Sequence, residues 1–165
     1  MLSKKDIEEL ATGAVKRYFN TCNLISPQIQ ENDKTPDWDG ELNLYESKKD
    51  IRKNYIGSLR IQVKGKEVSK FIFLKNAKNE GFVFFVVEVM SNGDNKIFYK
   101  KMAPIEIRGL LASINKQQKT KNMPFEALSR DKSWIEVELK AFLSDCIKQK
   151  SFASKTPFSI EDIKN

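Results

Sequence analysis

The 165-residue sequence contains no histidine. That removes Cys2His2 zinc fingers, HNH-type nucleases, Ser-His-Asp hydrolases and every histidine general base from consideration. Cysteine is nearly absent too. Cys22 and Cys146 stand far apart, no CxxC pair exists, and no secretion signal precedes them, so two free thiols are expected rather than a disulfide. No stretch approaches the roughly 18 apolar residues that span a bilayer. The opening MLSKKDIEEL lacks the apolar centre of a signal peptide, which makes a cytoplasmic location the default expectation. Internal repeats and low-complexity tracts are also missing.

What remains is an ordinary globular composition. Hydrophobic residues make up 40% and charged residues 31%, and the length suits one domain with a core of its own. Lys and Arg number 29 against 22 Asp and Glu, a formal charge of +7. A basic surface attracts polyanions, and nucleic acid is the commonest of these in a cell. Any catalysis has to come from carboxylates, amides and lysines.

The order of elements reads helix, then strands, then helices. Ser3 is placed to cap a helix running to Phe19, with Asp6 in its first turn. Ile7, Leu10, Ala11, Ala14, Val15 and Tyr18 form its apolar stripe. Steps of 100° put Glu8 at the edge of that stripe and Glu9 on the solvent side. A short strand is expected in Leu24 to Gln30, and Glu31 to Pro36 reads as a loop. Asp37 to Glu46 alternates, with Asp39, Glu41 and Asn43 on one face. SKKDIRKN connects it to a second alternating stretch, Gly57 to Val68, where Arg60, Gln62, Lys64 and Lys66 share a face.

Phe71 to Leu74 is a short apolar run. Gly81 to Met90 is almost wholly apolar, as in a strand buried on both sides. Ser91 to Asp94 is a turn that returns as Lys96 to Met102. Pro104 opens a helix over about Ile105 to Lys116. Lys119 to Met123 is a basic loop. Asp131 to Gln149 forms the last helix, with Ile135, Leu139, Phe142, Leu143 and Cys146 on its buried face. These elements predict an α/β (α+β) fold, a sheet flanked by helices.

Two of these strands carry the chemistry. If they pair antiparallel, a carboxylate from Asp39, an amide oxygen from Gln62 and an ammonium from Lys64 converge near one point. Mg²⁺ prefers oxygen ligands, and a lysine beside it can stabilise charge on a reacting phosphate. Glu8 is the candidate fourth member.

The segments WDGELNL, IQVKG, FVFFVVEV and KIFYKK, in that order, resemble the PD-(D/E)XK nuclease superfamily. Within it they look most like a bacterial domain family related to the Mrr and Holliday-junction-resolvase groups, whose motif runs D…QxK. The resemblance covers roughly Lys4 to Leu111. It implies a restriction-endonuclease-like mixed sheet and a Mg²⁺-dependent endodeoxyribonuclease, with Mn²⁺ as a substitute metal. Asp39 takes the metal-ligand position, Gln62 the acidic position of the second motif and Lys64 that of the catalytic lysine. Glu8 matches the glutamate of the first helix, with Glu9 as its alternative. Asp37, which carries the literal Pro-Asp, is the alternative to Asp39. Gln62 departs from the usual Asp or Glu and leaves one negative charge fewer to hold the metal.

The resemblance further implies DNA as the partner and a setting in bacterial antiviral defence, with a partner protein or added domain of such a system. A homodimer is expected because cutting both strands of a duplex needs two sites. The nuclease-like domain is expected over 1–150 and a C-terminal tail over 151–165. The competing readings are a nuclease-like domain that binds nucleic acid without cutting it and a protein-interaction scaffold. Trp38 and Trp134 are expected to pack at the core or its rim rather than stack on bases. Lys100, Lys101 and KQQKTKN are solvated charges singly but could track a phosphate backbone together.

Overall fold

The computed structural model describes residues 2–29, 38–65, 80–113 and 122–155, with side chains described as far as 151. Helix α1, Lys4–Asn20, starts as expected. The Asp6 amide donates to Ser3 Oγ at 3.2 Å, and the Asp6 carboxylate accepts from the Ser3 amide at 2.9 Å, a reciprocal capping box. Its buried stripe is Ala11, Ala14, Val15 and Phe19. Leu10, predicted to belong to that stripe, is 38% exposed. Successive 100° steps place it at the margin, where the two alanines and Val15 already hold the helix on the sheet.

Among the described residues the sheet has six strands in the order β1 (Ile25–Ile29), β2 (Gly40–Tyr45), β3 (Tyr55–Lys64), β4 (Phe82–Glu88), β5 (Lys96–Met102) and β6 (Glu126–Ala127). All neighbours are antiparallel except β3 and β4, which run parallel. A parallel pair needs a long crossover, and Gly65 to Gly81 supplies it. The Phe71 to Leu74 run lies within this stretch, outside the described residues, as do Glu31 to Pro36 and most of the Lys119 to Met123 loop. The margins of the sheet are β1, which contains Pro27, and the two-residue β6. The expected mixed sheet flanked by helices is therefore what the chain adopts.

Alternation along the strands makes two faces. Leu42, Leu44, Leu59, Ile61, Val63, Val83, Phe85 and Val87 face α1 and a last helix, α3 (Lys132–Lys155), whose Ile135, Leu139, Phe142, Leu143 and Cys146 complete one core. Phe82, Phe84 and Met102 face the other way and pack on Ile107 and Leu110 of α2, Pro104–Ser113. Strand β4 is thus buried on both sides, as its continuous apolar run predicts. Helix α3 continues to Lys155, past the point where a tail was expected. Trp134 is 60% exposed rather than packed. Both cysteines are free, and burial pushes their thiols up to about 11 for Cys22 and about 12 for Cys146. Among the described residues no helix is long and apolar enough to cross a membrane.

One buried carboxylate ties this frame together. Glu136 on α3 is 5% exposed and accepts from the backbone amides of Asn23 and Leu24, where α1 turns into β1. Removing it strands two amides in a desolvated place, at a cost of about 2–3 kcal/mol. Glu136→Ala is expected to lower the melting temperature by roughly 5–10 °C. Glu136→Gln, which keeps an acceptor oxygen, should recover most of that loss in a thermal melt.

Candidate active site

The site begins where β2 begins. Gly40 has φ +151°, a backbone conformation that L side chains rarely adopt. A Cβ there would overlap the Gln28 carbonyl oxygen and lie 2.9 Å from Ile29 Cα on β1. Only glycine lets the chain cross β1 this closely. The residue before it, Asp39, donates its amide to the Ile61 carbonyl at 3.1 Å. Its carboxylate then turns toward β3. Asp39 Oδ2 accepts from the Val63 amide at 2.6 Å and from Gln62 Nε2 at 2.7 Å. The side chain thus extends the β2–β3 ladder past the point where the β2 backbone leaves it.

Gln62 is 5% exposed. Its Nε2 faces the carboxylate because two acceptor oxygens cannot pair, and Oε1 therefore points elsewhere. That oxygen is buried and has no hydrogen-bond partner. Lys64, the last residue of β3, is half-buried on the same face as Gln62. The next residue, Gly65, is buried under α1, and a Cβ on it would run into Ile7 Cγ2. This contact brings the first turns of α1 to the end of β3. Glu8 comes within electrostatic reach of Asp39 by this route. Burial lifts the Asp39 carboxyl above the ordinary range; the Val63 amide and the Lys64 ammonium pull it down, and the Glu8 charge pushes it further up.

The structure therefore pairs Asp39 with Gln62, and the Lys64 and Glu8 charges reach the Asp39 carboxylate. Glu9 points away and pairs with Lys5 at 3.7 Å. Asp37 lies outside the described residues. Trp38 packs on Phe82 with ring centroids 5.4 Å apart, which agrees with a rim position. The Arg60 guanidinium lies over the Trp38 ring and pairs with Glu80 at 3.2 Å. Of the adjacent lysines Lys100 and Lys101 on β5, Lys101 is committed to Glu138, while Lys100 lies directly across β4 from Gln62. Gly40 and Gly65 position the site, and sequence reasoning gave neither a role. The signal for both was a glycine immediately after a candidate site residue.

Among the described residues no three His, Cys, Asp or Glu side chains gather closely enough to hold a metal ion. The oxygen donors on hand are two carboxylates, Asp39 and Glu8, and the Gln62 amide. No protein-family model, curated protein or solved structure matches the chain.

Proposed function

We propose that the chain is a Mg²⁺-dependent endonuclease of the PD-(D/E)XK type that hydrolyses DNA phosphodiesters. The observation that carries this reading is the orphaned Gln62 Oε1. A buried acceptor without a donor costs about 1–3 kcal/mol, a burden that a cation beside it would lift. The donor set fits a hard cation: the Gln62 amide oxygen, the Asp39 oxygen not bonded to β3, and the Glu8 carboxylate are all oxygen ligands. The chemistry such a cation supplies when bound is polarisation of the phosphodiester and acidification of water. Asp39 is held in one orientation by the Val63 amide and Gln62 Nε2. The Lys64 ammonium offsets negative charge that grows on the phosphate oxygens in the transition state. The net charge of +7 favours association with a polyanion. A role in bacterial defence rests on the sequence resemblance alone.

The direct test is nicking of supercoiled plasmid by the intact protein with Mg²⁺ or Mn²⁺. No cleavage of any DNA form in either metal sinks the proposal. Gln62→Glu gives a sharper result. A second carboxylate beside Asp39 repels it when no cation is present, so the metal-free variant should melt below the parent protein. Mg²⁺ should then raise its melting temperature more than the parent's, and half-maximal cleavage should need about tenfold less Mg²⁺.

A second reading, a domain that binds DNA without cutting it, is favoured by the Asp39 carboxylate being half-buried and already bonded twice through Oδ2. It predicts salt-sensitive DNA binding that ignores chelators and survives Asp39→Ala.

A further inference from the structure

A cavity lies at the C-terminal end of α1, about ten residues and so roughly 15 Å along the helix from Glu8. It is a cleft of about 640 Å³ between the last turn of α1, the start of β5 and the chain that links β6 to α3. That volume is in the range of small-ligand sites. Tyr18, Phe98 and Leu128 give it an apolar, partly aromatic lining, and Lys96, Arg130 and Lys132 bring three cations to it.

Some neighbouring carboxylates hold other partners, while Glu88 stands directly across from Lys96 in the β4–β5 register and Asp94 lies two residues before it. Asp131 accepts from the Ser133 and Trp134 amides at the start of α3, at 3.0 and 3.3 Å. Glu136 holds Asn23 and Leu24, and Glu138 holds Tyr99 and Lys101. Glu126 is exposed on β6. Neither Lys96 nor Arg130 is in an ion pair among the described residues. Lys132 lies over the Tyr18 ring, and burial holds its ammonium below the ordinary lysine range. Asn95 also lines the cleft, and its Oδ1 is buried with no hydrogen-bond partner. The cleft thus joins three cations, two of them outside any ion pair among the described residues, a flat apolar wall and an acceptor that lacks a donor.

We infer that this cleft binds a phosphate monoester joined to a flat ring that carries an N–H donor. That chemistry is shared by a free mononucleotide and by the 5′-phosphorylated end of a nucleic-acid strand. The phosphate meets Lys96 and Arg130, the ring lies against Phe98 and Leu128, and the ring N–H reaches the Asn95 amide oxygen.

The test is calorimetric titration of the full chain with each of the four ribonucleoside 5′-monophosphates, inorganic phosphate, adenosine, and a short oligonucleotide with and without a 5′-phosphate. None of these needs cleavage activity, so failure here is separate from failure of the nuclease reading. Binding of at least one mononucleotide or of the 5′-phosphorylated oligonucleotide is expected below about 1 mM, with phosphate and adenosine at least about tenfold weaker. Binding by free mononucleotides assigns the cleft to a small ligand. Binding by the phosphorylated oligonucleotide alone assigns it to a strand end. Lys96→Glu with Arg130→Glu, both at exposed positions, should remove binding without lowering the melting temperature. Asn95→Leu should weaken it about tenfold while the free protein melts no lower, because an unsatisfied acceptor has gone. Silence from every nucleotide, equal binding of phosphate alone, or undiminished binding in the charge-reversed variant each overturns the assignment.

Discussion

Asp39→Asn is expected to cut metal-dependent nicking at least about a hundredfold while raising thermal stability at neutral pH. Asparagine keeps an oxygen that can accept from both Val63 and Gln62, so the local fold survives. It lacks the charge that would hold a cation. The stability gain follows from the environment of the carboxylate. Burial dominates its shift and lifts the Asp39 proton affinity in the folded protein above the unfolded value near 3.8. The folded state then binds the proton more tightly than the unfolded state. Stability falls as pH rises from about 3.8 through the raised folded value, and the ionised carboxylate remains a burden at every higher pH. Asparagine carries no such burden. Melting temperatures of parent and variant should converge toward pH 3 and separate toward pH 7, with the variant higher. A variant that still nicks DNA at the parent rate removes Asp39 from the chemistry. A variant that melts lower at pH 7 shows that the two hydrogen bonds depend on the charge.

Gly40→Ala is expected to be the most damaging small substitution in the described chain. Alanine there has to adopt a φ that side chains avoid, and its methyl group meets the backbone of β1, which cannot turn aside as a flexible side chain can. Strain and overpacking together are worth about 3 kcal/mol or more, a fall of roughly 6–12 °C in melting temperature. Because Asp39 is the preceding residue, any backbone shift that relieves the overlap also moves the carboxylate off Val63 and Gln62. Cleavage should therefore drop even at temperatures where the variant remains folded. Gly109 is the control. It lies within α2, and a Cβ added there meets nothing within 4 Å, so Gly109→Ala should stabilise by about 0.5–1 kcal/mol. Equal melting temperatures for the two alanine variants would show that the crossing at Gly40 is not tight.

Periodicity and punctuation made much of the fold readable. Ser3 and Asp6 announced the start of α1, and Ser91 to Asp94 announced the β4–β5 hairpin. The parity of β2 and β3 put Asp39 and Gln62 on one face before any coordinates, and the antiparallel register then set them side by side. Other features have no local signature. Strand β6 is two residues long and too short to show a period. Burial of Glu136 depends on amides more than a hundred residues away, which no pattern along α3 reveals. The parallel pairing of β3 with β4 is decided by the path of a crossover. Gly40 reads as one more alternating position until β1 is laid beside it. Leu10 was assigned by helical spacing but lies at the margin of its stripe, and Trp134 is apolar yet faces solvent, so both stay in contact with water.

The two margins of the sheet restrict how copies of this chain can assemble. Pro27 takes one amide out of β1, and among the described residues β6 covers Phe98 and Tyr99 of β5, with Lys100 and Lys101 beyond it. Missing donors and edge lysines make both borders poor templates for another strand. A pair of molecules arranged to cut both strands of a duplex would have to meet through helices or loops, since neither border favours a sheet continued from one copy into the next.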